Sequence, residues 1–295
     1  MLTAGNLEFL PEYVMSRYEL ANTPTRFRSL FLSDLHLGSR RCHADKLLTF
    51  LKNHEADHIY LVGDTFDIWH PRAVHWTRTH DLIIDLLCER VRQGVRVINL
   101  AGNHDPMSEV LHSSHSRLNS VISCHSSVVH KTKEGKRYLV VHGDCCDFWP
   151  LRSYTFSRLG SSIDGLLHRS RVSRLLQRIS AMPVFRQLIL PFTRAGSAIS
   201  LRSQQLLEKR LIRFAGGGGF DGIVCGHLHR PVLQHREGVL YANCGDWVQS
   251  MSAIAEDSSG ELVMLDWGQY PGAEHQGTAP LLSPVRQNEG ASSWL

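Results

Sequence analysis

Short apolar runs alternate along the chain with longer stretches whose apolar residues recur at helical spacing. Helices are predicted around 45–53 and over 79–93, the second ending before Gly94, a favourable residue just past a helix end. An alternation of short apolar runs with helices indicates an α/β (α+β) fold, and the later runs indicate a second sheet packed on the first. The predicted strands lie at 30–32, 59–62, 95–100, 138–141, 223–225 and 239–242.

Polar residues of the metal-binding types follow five of these apolar runs. The chain reads FLSDLHLG, YLVGDTFD, INLAGNHD, YLVVHGD and IVCGHLH at these points. Strands of a layered α/β fold present their carboxyl ends along one edge, so residues that are distant in sequence can converge there. The candidate metal ligands are Asp34, His36, Asp64, Asn103, His142, His227 and His229.

These ligand types predict a centre that binds two divalent ions. Carboxylate oxygen, imidazole nitrogen and amide oxygen suit Mn, Fe, Zn or Co, whereas a site made of thiolates is not indicated. Asp64 is the candidate for the shared ligand, because a carboxylate has two oxygens. Two ions about 3.5 to 4 Å apart can lower the pKa of a water and hold the oxygens of a phosphate, which predicts hydrolysis of a phosphoester or phosphoanhydride. One site would comprise Asp34, His36 and His229, and the other Asn103, His142 and His227.

In this order, DLH, GDTFD, GNHD, HGD and GHLH resemble the motifs of the calcineurin-like metallophosphoesterase superfamily, over about residues 27–267. The resemblance implies a β-sandwich of two sheets flanked by helices and the same pairing of ligands. It favours manganese as the metal. It also implies that His104 acts near the scissile phosphate, with Asp105 or another acceptor fixing its orientation. Asp67 and Asp144 are expected to orient ligands without binding the ions themselves.

A narrower resemblance is to the UDP-2,3-diacylglucosamine pyrophosphatases of lipid A synthesis. It is carried by SDLHLG, GDTFDIW, an apolar and basic insertion after HGD, and NCGDWVQS at 243–250. The well-known members carry Arg where this chain has His104, so GNHD is typical of the His-bearing relatives. The implied reaction hydrolyses a diphosphate to UMP and a lipid monophosphate. Two alternatives stay open: a phosphodiesterase or phosphatase for a soluble nucleotide or phosphoprotein, and a metal-free binding scaffold on the same fold.

Positive charge is concentrated in a predicted insertion at about 148–215. The chain has a net charge of +4, whereas residues 150–214 alone contain twelve basic and two acidic residues. Apolar residues alternate with Arg at helical spacing, which predicts basic amphipathic helices. Such helices can lie on an anionic membrane surface or pack on the core with a solvated Arg face; few aromatic residues argue against nucleic acid. The candidate substrate-binding residues are Arg152, Arg158, Arg169, Arg171 and Arg174.

The chain divides into an N-terminal extension (1–26), a catalytic domain (27–267) and a tail (268–295) rich in Gly, Pro, Ser and Gln that is expected to be disordered. No apolar run approaches the roughly 20 residues that cross a bilayer, and the first residues lack a signal-peptide core. Seven cysteines without C-x-x-C spacing predict a reduced, cytoplasmic protein. The basic insertion and the lipid A resemblance predict that it is peripheral on the cytoplasmic face of the inner membrane. Histidines outside the motifs, including His54, His80 and His130, are expected at the surface or in loops. Oligomeric state is not predicted.

Overall fold

The computed structural model describes residues 24–67, 74–106, 118, 120–146, 202–268 and 282–283. The helices are α1 (Ala44–Asn53), α2 (Arg78–Arg92) and α3 (residues 202–217). The strands are β1 (Thr25–Leu32), β2 (His54–Val62), β3 (Arg96–Leu100), β4 (Ser123–His125), β5 (Ser127–Lys131), β6 (Arg137–Val141), β7 (Gly222–Cys225), β8 (Val232–Arg236), β9 (Val239–Asn243), β10 (Ser252–Glu256), β11 (Leu262–Asp266) and β12 (Leu282–Ser283). The six predicted strands and the two helices predicted around 45–53 and over 79–93 are confirmed.

The strands form two sheets. The first has seven strands in the order β12-β11-β10-β1-β2-β3-β4, in which β1 to β4 run parallel and β10 to β12 pair antiparallel. The second has five strands in the order β5-β6-β7-β9-β8, in which β6, β7 and β9 are parallel. Each sheet therefore presents a block of parallel strands whose carboxyl ends share one edge.

Alternation along the strands separates three cores. In β1, Leu30 and Leu32 pack with the core that includes α1 and α2, whereas Phe31 packs between the two sheets. In β6, Val140 joins the core between the sheets and Leu139 joins the core that includes α3. Successive side chains of a strand point to opposite faces, so this pattern places the layers in the order helix, sheet, sheet, helix. The predicted two-sheet sandwich flanked by helices is confirmed.

Each helix buries one face on its sheet. In α1 the buried face includes Leu47, Phe50 and Leu51, at the spacing of one helical face. In α3, Leu207 and Leu211 are buried in the third core. Full burial of a leucine or phenylalanine side chain contributes about 1.5–3 kcal/mol, so these faces hold the helices in place.

Helix α3 contains the end of the predicted basic insertion, so residues 202–215 of it are helical. Residues 147–201 lie outside the described residues, and the five candidate substrate-binding arginines are among them. Within the predicted tail, Leu282–Ser283 form β12 and pair with β11, so the expectation of a tail without regular structure is wrong for these two residues.

The expectation that histidines outside the motifs lie at the surface or in loops is wrong for three of them, which lie in β2, α2 and β5. His54, His80 and His130 are all buried. The His54 ring stacks on Phe50 with centroids 4.2 Å apart, and its Nδ1 lies 2.7 Å from the Phe50 carbonyl oxygen. A flat imidazole can replace an apolar aromatic ring inside a core when a ring nitrogen has a polar partner, and composition alone does not reveal this.

All seven cysteines are free thiols. Among the residues that the structure describes, no helix is long and apolar enough to cross a membrane.

Candidate metal centre

The candidate ligands follow the carboxyl ends of parallel strands in both sheets. In the first sheet the neighbouring strands β1, β2 and β3 are followed by Asp34, Asp64 and Asn103. In the second sheet the neighbouring strands β6 and β7 are followed by His142 and His227. Residues from five separate segments are thus brought to one edge of the sandwich, as the sequence predicted.

Asp34, His36 and His229 form one cluster of ligand atoms. Nε2 of His229 and Nε2 of His36 lie 3.1 Å and 3.8 Å from Oδ1 of Asp34. Nε2 of His36 is buried and makes no hydrogen bond, and Oδ1 of Asp34 is buried with the His229 ring as its ion-pair partner. A buried polar atom left without a partner costs about 1–3 kcal/mol. The two atoms and the donor types therefore fit a bound divalent ion.

His142 contributes to a second cluster, which lies between the sheets. Its Nε2 is 3.5 Å from Oδ2 of Asp64 and 3.2 Å from Oδ1 of Asn103. Its Nδ1 lies 2.9 Å from the carbonyl oxygen of Val62, so Nδ1–H donates to that oxygen and Nε2 remains for a metal. These contacts orient the ring as a ligand before any ion binds.

Asp64 belongs to two of the three groups of ligand atoms found among the described residues. In one group, a carboxylate oxygen of Asp64 lies within 4.8 Å of ligand atoms of Asp34 and His142. In a second group, a carboxylate oxygen of Asp64 lies within 4.8 Å of ligand atoms of His36 and His104. Its Oδ1 accepts a hydrogen bond from the backbone N–H of His104 at 2.7 Å. A buried carboxylate in this position suits a ligand common to two ions.

His227 lies beside this arrangement. Its ring centroid is 5.1 Å from that of His142, and its backbone N–H donates to Oδ2 of Asp34 at 2.9 Å. None of the three-residue clusters found among the described residues includes its imidazole. Its role as a ligand stays a prediction.

The backbone is left-handed at most of the candidate ligands. Non-glycine residues with positive φ cost about 1–2 kcal/mol each, and they are concentrated where function requires a particular side-chain direction. In the described part of the chain, the only non-glycine residues with positive φ besides the candidate ligands are Glu237 and Met251. The five ligands with positive φ are Asp34 (53°), His36 (47°), Asp64 (51°), His227 (65°) and His229 (52°).

Two motif glycines allow the loops to approach the carboxylates closely. A Cβ at Gly102 would lie 2.2 Å from Oδ1 of Asp64, and a Cβ at Gly226 would lie 1.7 Å from Oγ of Ser33 and 2.4 Å from Oδ2 of Asp34. These distances are far below van der Waals contact. The glycines of GNHD and GHLH are therefore required by packing against the carboxylates.

Carboxylates and imidazoles at the site stabilise each other's charged forms. Burial raises the pKa of Asp34 and Asp64, but the imidazoles of His229 and His142 reverse this and leave both pKa values below the ordinary range. Burial lowers the pKa of His229, yet Asp34 raises it to about 9. Burial lowers the pKa of His36. Metal binding would release the proton that the His229 imidazole holds because of its raised pKa.

Asp144 influences the site through its charge. It lies in the short 3₁₀ helix Asp144–Cys146, directly after the His142 loop. Burial lowers the pKa of His142, but the charge on Asp64, with a smaller effect from Asp144, raises it well above its usual value.

Asp67 lies beside the candidate catalytic ring of His104. Nδ1 of His104 is 3.6 Å from Oδ1 of Asp67, and Nε2 is 3.9 Å from Oδ2 of Asp64. Burial lowers the pKa of His104, but Asp64 and Asp67 raise it above its ordinary value. The ring is thus favoured in its protonated form at the edge of the ligand set.

Asp105 holds the Asp64 loop and the GNHD turn together through its carboxylate. Its Oδ1 accepts hydrogen bonds from the backbone N–H groups of Asp64 and Gly102, at 2.9 Å and 3.0 Å. Its Oδ2 accepts from Thr65 and Phe66, at 2.8 Å and 3.2 Å. Of the acceptors that the sequence left open for His104, the one beside Nδ1 is Asp67.

Asp246 is a residue that the candidate set omits. It is fully buried, its Oδ2 lies 3.6 Å from Nδ1 of His229, and its Oδ1 accepts from the backbone N–H of Val248 at 2.7 Å. A carboxylate behind a ligand histidine orients the ring and strengthens its binding. The signal was present in NCGDW, because a Gly-Asp pair follows β9 as another follows β2.

Comparison with known proteins places this geometry in a family. The family model described as calcineurin-like phosphoesterase matches residues 27–231. A UDP-2,3-diacylglucosamine hydrolase of Porphyromonas gingivalis is 33% identical over 274 residues, covering 79% of this chain and 95% of that protein. A UDP-2,3-diacylglucosamine hydrolase of Haemophilus influenzae is 23% identical, covering 79% and 97%.

Among solved structures, an archaeal phosphodiesterase is 11% identical and covers 81% of this chain and 98% of its own, with a TM-score of 0.38. That score is too low to support an argument, so the assignment rests on the family match and the curated relatives. The match spans more than half of the chain, and the chain covers nearly the whole length of the relative that is 33% identical. The chain therefore belongs to the calcineurin-like phosphoesterase family of hydrolases that act on phosphoester bonds.

Proposed function

We propose that the protein hydrolyses the diphosphate of a nucleotide-linked glycolipid and releases UMP and a lipid monophosphate. The observation that carries the proposal is the buried Asp64, which lies in one group of ligand atoms with Asp34 and His142 and in another with His36 and His104. The curated relatives of the chain are named for UDP-2,3-diacylglucosamine. A diphosphate is a substrate that two adjacent divalent ions can hold through its oxygens.

The metals are proposed to be two divalent ions, with manganese favoured and iron, zinc or cobalt as alternatives. Two such ions supply Lewis acidity, which polarises the phosphate and lowers the pKa of a water. Asp64 would contact both ions. One ion would be held by Asp34, His36 and His229, and the other by Asn103, His142 and His227.

His104 is proposed to act on the phosphate directly. Its Nε2–H donates to a phosphate oxygen on which negative charge grows, or gives its proton to the leaving oxygen. Asp67 holds the ring from the side of Nδ1, and the raised pKa keeps a proton available. Loss of one such donor typically costs about 2.7–4 kcal/mol of transition-state stabilisation.

The basic segment 148–215 is proposed to bring the protein to the cytoplasmic face of the inner membrane. Each basic residue near an anionic surface contributes about 1 kcal/mol. Arginines also bind phosphate through two parallel hydrogen bonds, so the five candidates are proposed to hold the substrate. The support for this is the charge of the segment and the named substrate of the relatives.

The test is release of UMP from UDP-2,3-diacylglucosamine by the manganese-loaded protein, with bis-p-nitrophenyl phosphate as a soluble ester. Asp64→Asn should abolish both reactions, and Glu261→Gln, an exposed carboxylate, should leave both unchanged. Hydrolysis of the soluble ester alone would overturn the lipid substrate and favour a soluble phosphodiesterase or phosphatase. Absence of both activities and of bound metal would favour a binding scaffold.

A further inference from the structure

A polar cleft of about 410 Å³ lies between the N-terminal ends of α1 and α2. Its lining includes Arg40, His43, Lys46 and His80, and none of the candidate metal ligands. The loop that carries Arg40 begins at the candidate ligand His36, so the cleft and the metal centre adjoin the same segment.

His80 lines this cleft and carries a buried polar atom without a partner. The residue is only 2% exposed although it is a lining residue. Nδ1 accepts a hydrogen bond from the backbone N–H of Thr77 at 3.1 Å, so in the neutral ring the proton lies on Nε2. Nε2 is buried and makes no hydrogen bond. Burial lowers the pKa of His80, which favours the neutral ring, and a buried donor without an acceptor costs about 1–3 kcal/mol.

The N-terminus of α1 adds further donors at the same place. This helix of ten residues has His43 as its N-cap, and that side chain makes no capping hydrogen bond. The first amides of an uncapped helix carry a partial positive charge that attracts anions. Residues of this first turn line the cleft.

The charged side chains favour an anion as well. Arg40 and Lys46 line the cleft with positive charge. The carboxylate in the lining belongs to Asp45, and it accepts a hydrogen bond from Oγ1 of Thr79 at 2.8 Å. The remaining donors are therefore available to an acceptor that carries negative charge and several oxygens.

We propose that this cleft binds a phosphate group at a site separate from the metal centre. The phosphate is either carried by a nucleotide or present as inorganic phosphate, since both offer the same acceptor oxygens. They accept from Nε2–H of His80, from the first-turn amides of α1 and from Arg40 and Lys46. Occupancy would fix the loop that begins at His36. The site does not depend on which substrate the metal centre hydrolyses.

The test is isothermal titration of the full chain with inorganic phosphate and, separately, with UMP. In the manganese-loaded protein we expect binding at the cleft in addition to the metal centre. In the Asp64→Asn variant, whose metal centre is disabled, we expect binding at the cleft alone. Tighter binding of UMP than of phosphate would identify a nucleotide as the occupant, and equal affinity would identify phosphate itself; both support the site.

Two comparisons, made in the Asp64→Asn background, tie the binding to the cleft. Arg40→Ala with Lys46→Ala should weaken phosphate binding at least tenfold, because the charge-assisted hydrogen bonds to the phosphate are lost. The matched control, Lys52→Ala with Arg92→Ala, removes the same charge from the last turns of α1 and α2 and should have no effect. Equal binding by the two double variants, or no phosphate binding in Asp64→Asn, would overturn the proposal.

A second pair of variants, at His80, distinguishes loss of the Nε2–H donor from damage to the fold. His80→Asn keeps an acceptor near the Nδ1 position for Thr77 but removes the donor at the Nε2 position. His80→Gln keeps a donor near the Nε2 position. In the Asp64→Asn background we expect binding to fall about tenfold in His80→Asn and to be largely restored in His80→Gln. The reverse order would contradict a role for Nε2–H.

Discussion

Nδ1 of His142 lies 2.9 Å from the carbonyl oxygen of Val62, and this contact joins the ends of two strands that belong to different sheets. It determines which nitrogen of His142 faces Asp64 and Asn103. The intervening Gly63 makes the contact possible, because a Cβ there would lie 2.5 Å from the His142 ring. The ligand geometry is therefore set by how the sheets meet, before any ion binds.

Substitution of His104 should separate chemistry from metal binding. In His104→Gln we expect kcat for bis-p-nitrophenyl phosphate to fall about 10²–10⁴-fold, because a positioned proton donor is lost. Metal content, measured by mass spectrometry of the dialysed protein, should stay at two ions. Loss of an ion would show instead that His104 is a ligand, since its ring belongs to a cluster with His36 and Asp64.

Removal of the carboxylate behind His229 should weaken metal binding without unfolding the protein. Asp246→Asn retains the shape of the side chain, and its oxygen can still accept from the Val248 amide. We expect manganese affinity to fall about 10–100-fold, as is typical when such an orienting carboxylate is lost. The measurement is manganese titration of the apo protein, with Glu134→Gln, an exposed carboxylate, as the control. Unchanged affinity would exclude an orienting role.

A methyl group in the GNHD turn should disrupt the site. Gly102→Ala places Cβ 2.2 Å from Oδ1 of Asp64, so the turn or the carboxylate must move. We expect lower manganese affinity and a lower melting temperature. Gly217→Ala, in α3 and with open space around its Cβ, should be neutral or stabilising by about 0.5–1 kcal/mol. Calorimetry of both variants checks this, and equal stability would contradict the steric argument.

A buried carboxylate away from the metal centre should make stability depend on pH. Glu256 accepts hydrogen bonds from Ser29, Arg28 and the backbone of Lys133, and lies 2.9 Å from Nε2 of His130. Burial raises its pKa, but His130 and the other donors lower it from 4.5 to about 2. A pKa lowered in the folded state contributes about 3 kcal/mol above pH 4.5, and this is lost as the pH falls toward 2.

The check is urea unfolding of the wild type and Glu256→Gln at several pH values. We expect the wild type to be more stable at pH 7 and the difference to shrink between pH 4.5 and 2. A difference that does not change with pH would mean that packing, not charge, explains the effect of the substitution.

Much of the candidate site was predictable because each ligand adjoins an apolar run. Asp64 and His142 follow strands that end in four apolar residues, IYLV and YLVV, and such runs are typical of strands inside a parallel sheet. Strand β10 was not predicted. It reads SAIAE and is buried throughout, although it ends in the charged Glu256. Burial of this charge is possible because residues from distant segments, Ser29 and His130, contact the carboxylate. Partners that are remote in sequence leave no local pattern.

Neighbours in sequence were also a poor guide to partners in space. Asp105 follows His104 directly, but its side chain binds the backbone of the Asp64 loop. Asp67, distant in sequence, lies beside the ring. The direction of a side chain in an irregular turn depends on backbone angles, and motif spacing does not specify these angles.

Because both sheets supply ligands, a pair of ions at this edge would act as a non-covalent cross-link within the sandwich. Anything that binds only the folded state raises the free energy of unfolding, by about 2.7 kcal/mol when its free concentration is one hundred times its Kd. Manganese should therefore raise the melting temperature even in His104→Gln, where catalysis is lost. A chelator would then loosen the junction between the sheets in the same step that stops hydrolysis.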